Sequence, residues 1–163
     1  MKMKIVCIVL FCSVVGMAQA QDYKAAIGGR FGFYNGLTLK GFISSKGAIE
    51  GLLTTRWHGF SITGLYEHHM PIKEVKGLAW YVGGGAHIGY FDGHYYNDYF
   101  YPGKIDDKDY TVVGADLILG AEYKIPEIPL NVGLDWKPAF NFINDDHFWF
   151  DGIALSIRYI FKK

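Results

Sequence analysis

Ser61, His87 and Asp116 have the types needed to act together as a nucleophile, a general base and a carboxylate that orients the base. Each falls on the inward side of an extended segment, and an approximate register brings them to similar heights. Polar networks of this kind are also ordinary filling for a closed interior, and that is the reading adopted: no catalytic residue is assigned. Gly83-Gly84-Gly85 has the look of a phosphate loop but lacks the helix such loops need, so close packing or curvature is the better expectation. His68 and His69 project to opposite faces of one strand, so a single metal cannot take both, and no other ligand set has suitable spacing. Neither a metal nor a cofactor is therefore expected. The segment from Asp92 to Asp109 sets Tyr95, Tyr96, Tyr99, Phe100 and Tyr101 among acidic and amide side chains. These five rings are a candidate surface for glycan or protein contact, since aromatic bodies with polar tips suit such partners. The plainer expectation is that they cover the interior or rest among membrane headgroups. The Asp spacing lacks the pattern of a calcium loop.

The elements that must position these residues are strands. Glycine contributes 21 of 163 residues, and Tyr and Phe contribute 12 each, a balance that suits a twisted all-β chain. Eight segments alternate with a period of two: 24–33, 37–43, 48–57, 60–69, 78–91, 110–124, 130–140 and 148–161. Most are near the roughly 9 to 11 residues that cross a bilayer when tilted. Turn chemistry separates them. Tyr34-Asn35-Gly36 and His58-Gly59 are read as tight hairpins in which Gly36 and Gly59 supply positive φ, and residues 44–46 as a three-residue turn.

Charge decides which face is which. One face carries Ile27, Phe31, Leu39, Leu53, Ile62, Val82, Leu117, Leu119, Leu134, Leu155 and Ile157, with Asp151 its only charged member. The other carries Arg30, Lys40, Glu50, Arg56, Glu67, Asp116, Glu122, Asp135 and Arg158, together with Lys24, Lys124 and Lys137. A water-soluble barrel would invert that arrangement. The pattern predicts an all-β, eight-stranded antiparallel transmembrane barrel with short periplasmic turns and one long outer loop. Lipid leaves no partner for an open strand edge, so the sheet must close. Trp57, Phe60, Trp136 and Trp149 near the outer loops, and Tyr66, Tyr123, Tyr159 and Phe161 near the other ends, read as two aromatic girdles. Eight strands enclose only enough space for side chains, so the nine charged residues from Arg30 to Arg158 are read as an ion network filling the lumen. The turns assigned above put Arg30 opposite Lys40, Lys40 opposite Glu50, and Glu50 opposite Glu67. Leu119 should face lipid, and its inward neighbour Ile118 should tolerate a polar replacement better.

Residues 1–20 have the layout of a secretory signal peptide: Lys2 and Lys4, an apolar run from Ile5 to Val15, then Ala18-Gln19-Ala20. Cleavage near Ala20 would leave a single barrel domain over 21–163, without cysteine, because Cys7 and Cys12 both precede the cut. That domain carries fourteen basic and sixteen acidic residues, a net charge of −2, which argues against a nucleic-acid partner.

The closing segment Gly152-Ile153-Ala154-Leu155-Ser156-Ile157-Arg158-Tyr159-Ile160-Phe161 and the segment Leu130-Asn131-Val132-Gly133-Leu134-Asp135-Trp136-Lys137-Pro138 carry a family resemblance. Over nearly its whole mature length the chain resembles the outer-membrane protein β-barrel family, alongside the small OmpA-, OmpX- and OmpW-type barrels. The resemblance implies residence in the outer membrane, with outer-membrane lipids and lipopolysaccharide as surroundings. It also implies that barrel-assembly machinery reads the terminal aromatic strand, although Lys162 and Lys163 follow Phe161 here. It brings no catalytic motif. The leading functional reading is a non-enzymatic envelope protein contributing to membrane integrity or surface contact; the alternatives are a lipid-modifying outer-membrane enzyme and a narrow conduit for a small solute.

Overall fold

The computed structural model describes residues 23–56, 58–91, 109–143, 148–150 and 152–161. They form one antiparallel sheet of ten strands: β1 (Ala25–Gly32), β2 (Asn35–Phe42), β3 (Gly47–Arg56), β4 (Gly59–Pro71), β5 (Leu78–Phe91), β6 (Tyr110–Lys124), β7 (Leu130–Trp136), β8 (Ala139–Ile143), β9 (Phe148–Trp149) and β10 (Ile153–Phe161). Neighbours in sequence pair from β1 to β7, β7 pairs with β10, and β10 returns to β1, so the sheet closes on itself. Ten strands make eight staves. On either side of Pro138, β7 and β8 hold one register against β6, with Leu119 opposite Trp136 and Asp116 opposite Ala139. Proline has no N–H to give the ladder, but its carbonyl still accepts from Leu117 N at 3.0 Å. In the last stave, β9 pairs with β8 and β10 with β7. The chain is thus a closed eight-stranded antiparallel barrel, as its alternation predicts.

That alternation is why the sheet closes with this side inward. Along β10 the outward Ile153, Leu155, Ile157, Tyr159 and Phe161 alternate with the buried Ala154, Ser156, Arg158 and Ile160. Among the described residues no helix is long and apolar enough to cross a membrane. β5 lies close against β4 at Gly83 and Gly85. A Cβ on Gly83 would lie 2.1 Å from Tyr66 O, and one on Gly85 1.8 Å from Gly64 O, so β5 can bend against β4 only without side chains there.

Two hairpins differ from expectation. Neither Gly36 nor Gly59 has positive φ; both are strand residues, and His58 takes the left-handed conformation at φ 56°. The β3–β4 turn therefore sits one residue earlier, with Arg56 opposite Gly59. Between β1 and β2, Arg30 lies opposite Gly36 and Lys40 opposite Ala26, so the expected Arg30–Lys40 pairing slips by four residues. Glu50 lies opposite Leu65, two residues from the expected Glu67. Lys40 does lie opposite Glu50. Both slips are even, so every side chain keeps its face.

The slip in the last stave is odd. Phe140 pairs with Phe148 in β8–β9, whereas Trp136 pairs with Ile153 in β7–β10, which leaves one extra residue between Trp149 and Gly152. The bulge turns Trp149 into the lumen, where it is 5% exposed, and turns Phe148 and Phe150 outward. Trp149 is therefore not a girdle residue. Phe150 stacks on Trp136 at 6.3 Å and accepts through its carbonyl from Trp136 Nε1 at 2.7 Å. In brominated-lipid vesicles, Trp80→Phe and Trp136→Phe should each remove part of the quenchable tryptophan emission, whereas Trp149→Phe should remove emission that lipid does not quench.

Candidate functional site

The interior is built in three layers. Tyr34, Phe91, Val112, Ala139 and Trp149 cluster at the end where β1 turns into β2, and Tyr23, Ala26, Phe42, Ala48 and Ile160 cluster at the opposite end. Between them, the charged side chains share the lumen with Leu52, Leu65, Tyr81 and Ile118. Isolated charges would be expensive there, so the geometry of each pair matters.

Arg30 from β1 reaches across to Asp135 of β7 through two hydrogen bonds of 2.8 and 2.5 Å, and Tyr81 Oη donates to the same carboxylate at 3.1 Å. Lys40 Nζ lies 2.7 Å from Glu67, 3.4 Å from Glu122 and 3.5 Å from Glu50, and 4.2 Å above the ring of Tyr81. The closer partner of Glu50 is Arg158, at 2.5 Å, and Thr38 Oγ1 also donates to Glu50. Arg158 Nε donates to Thr38 Oγ1 at 3.0 Å, and its other arm to Asn131 at 3.4 Å. Asp116 stands nearer the Trp149 cluster, accepting from Lys137 Nζ and bonded to His87 Nδ1 at 2.8 Å. Arg56 is only half-buried; its guanidinium lies 4.7 Å from the centre of the Tyr34 ring and 5.9 Å from that of Phe33.

The catalytic geometry does not assemble. His87 Nε2 bonds to Asn141 Oδ1 at 3.0 Å, while Ser61 Oγ bonds to Thr54 Oγ1 at 2.8 Å. Ser61 pairs with Gly89 and His87 with Thr63, so the serine and histidine occupy different rungs of β4–β5. A base whose far nitrogen is held by an amide, and a serine held by a threonine, make a structural network. His68 is exposed and His69 buried, on the opposite faces that alternation requires.

Sequence reasoning missed Tyr23, Thr38, His69, Tyr81, Asn131 and Lys137 as members of the network. Inward parity marks five of them, but parity does not say which inward side chains meet across the lumen. Outside, Phe60, Tyr66, Trp136, Tyr123, Tyr159 and Phe161 are exposed. Phe140, Phe142, Phe148 and Phe150 join Trp136 in an outward aromatic cluster on the last two staves. Residues 1–20, expected as a signal peptide, together with Trp57, Asp151, Tyr95, Tyr96, Tyr99, Phe100 and Tyr101, lie outside the described residues.

No protein-family model matches the chain, and neither does any curated protein. Among solved structures, it is similar to the N-terminal β-barrel domain of OprF from Pseudomonas aeruginosa, with a TM-score of 0.65 and 14% identity, over 88% of this chain and 100% of that one. At that identity the likeness is one of fold: the chain has the closed-barrel architecture of the OprF domain.

Proposed function

We propose that the protein is an integral outer-membrane barrel with a non-enzymatic role in envelope integrity or surface contact, exported with cleavage near Ala20. The observation that carries this reading is the pairing of an outward face of large exposed apolar side chains with an interior of buried ions. Only a hydrocarbon surrounding makes that arrangement favourable. The outward aromatics suit the two interfaces, so outer-membrane lipids and lipopolysaccharide are the natural surroundings and the barrel-assembly machinery the natural route of insertion. The lumen network of Arg30, Lys40, Glu50, Arg56, Glu67, Asp116, Glu122, Asp135 and Arg158 then serves to fill and rigidify the barrel. Surface contact, where it occurs, falls to Tyr95, Tyr96, Tyr99, Phe100 and Tyr101.

Ion-paired arginines, with apolar clusters toward both ends, argue against a conduit. The separation of Ser61 from His87 argues against acyl-transfer chemistry. The test is a comparison of cells with and without the protein. Loss should raise entry of a large hydrophilic dye while leaving lipid masses unchanged, and the purified barrel in planar bilayers should give no stepwise conductance. A change in lipid acylation would favour an enzyme, and regular conductance steps a pore.

A further inference from the structure

Lysine and arginine alone do not balance the central lumen. Arg30 and Asp135 neutralise each other as a separate pair, and so do Lys137 and Asp116. That leaves Lys40 and Arg158 facing Glu50, Glu67 and Glu122, all at most 5% exposed. Two cations therefore meet three carboxylates where an uncompensated charge is costly. His69 of β4 fills the gap in space. Its Nε2 is hydrogen-bonded to Glu67 Oε2 at 2.9 Å, and its Nδ1 is buried 3.4 Å from Glu122 Oε1 without a hydrogen bond. A neutral imidazole has one nitrogen without hydrogen, so it could donate to only one of these two carboxylates.

We propose that His69 is the third cation of the lumen, a buried imidazolium that is bonded to Glu67, lies beside Glu122 and closes the charge count. The groups around it fit this role. Glu67 Oε2 also lies 2.7 Å from Lys40 Nζ, so the same oxygen faces two nitrogen groups able to donate to it. Tyr81 of β5 stacks on the imidazole at 4.9 Å, and Phe42 of β2 meets it edge-on at 4.8 Å, giving a cation an aromatic cage. Tyr23 Oη donates to Glu122 Oε1 at 3.0 Å and shares that oxygen with His69. Glu50 of β3 and Arg158 of β10 complete the surroundings through Lys40 and through their own pair. The interior thus binds one proton as a structural component.

Nitrogen NMR of the full barrel refolded in lipid nanodiscs at pH 7, with His69 assigned through its contacts to Tyr81, tests this. The expected spectrum has both His69 ring nitrogens protonated. In Glu67→Gln, Lys40 and Arg158 balance Glu50 and Glu122, so His69 should revert to a singly protonated ring. A neutral His69 in the wild-type barrel, or a protonated carboxyl on Glu67, overturns the proposal without recourse to the variant. An imidazolium that persists unchanged in Glu67→Gln overturns the charge count behind it.

Discussion

Replacing Arg30 by Met should destabilise the refolded barrel by about 3–5 kcal/mol, because it strands the Asp135 carboxylate in a lumen where, among the described residues, only Tyr81 still donates to it. Asp135→Leu should cost a similar amount by stranding Arg30. The double variant should recover most of either loss, since removing both partners leaves no orphaned charge. Denaturant titrations of the four proteins in one lipid composition give the coupling directly. Purely additive losses would mean that the pair does not meet. This pair is cleaner than Lys40–Glu50, the expected pairing that the register keeps. Lys40 is closer to Glu67, and Glu50 closer to Arg158, so removing Lys40 and Glu50 together would leave Arg158 without its carboxylate.

The second large effect is expected on the outside. Leu119 is 48% exposed on the apolar face, and Leu119→Arg should cost about 2–4 kcal/mol if its depth is near the bilayer midplane, less toward an interface. Ile118, at 1% exposure, points the other way. Its buried apolar neighbours are Leu52, Leu65 and Tyr81, so a polar replacement there has a cost of its own, though a smaller one than at Leu119. Ile118→Asn should lose about 1–3 kcal/mol through a buried amide without partners. In detergent-free water-soluble form Leu119→Arg would be harmless, so its cost in lipid distinguishes the faces.

Strand number, closure and facing were legible because a period of two survives any even error in register. The turns at 33–34 and 57–58 were misplaced by sequence, yet Arg30, Lys40, Glu50 and Glu67 all stayed inward. The rungs were not legible, since glycine at 36 and 59 marks close approach of strands here: a Cβ on either would fall 2.0 Å from Leu53 O or 2.3 Å from Tyr90 O. The positive φ fell instead to His58, whose type gives little warning. Trp149 was misread because a single extra residue before Gly152 reverses facing, and nothing in Phe148-Trp149-Phe150 announces a bulge. The ion network was legible as a set of inward charges but not as pairs. Arg30 with Asp135, and Arg158 with Glu50, meet across the lumen, where strand tilt and side-chain length govern contact rather than rung number.

The central claim is that the apolar side of this barrel lies in hydrocarbon and the charged side does not. A spin label placed in turn at positions 116 to 120, in barrel refolded into phospholipid vesicles, reads this through collision with oxygen, which concentrates in lipid, and with a water-soluble nickel complex. Oxygen access should be high at 117 and 119 and low at 116, 118 and 120, with nickel access low at all five. High nickel access at 117 and 119 would place that face in water and contradict the account.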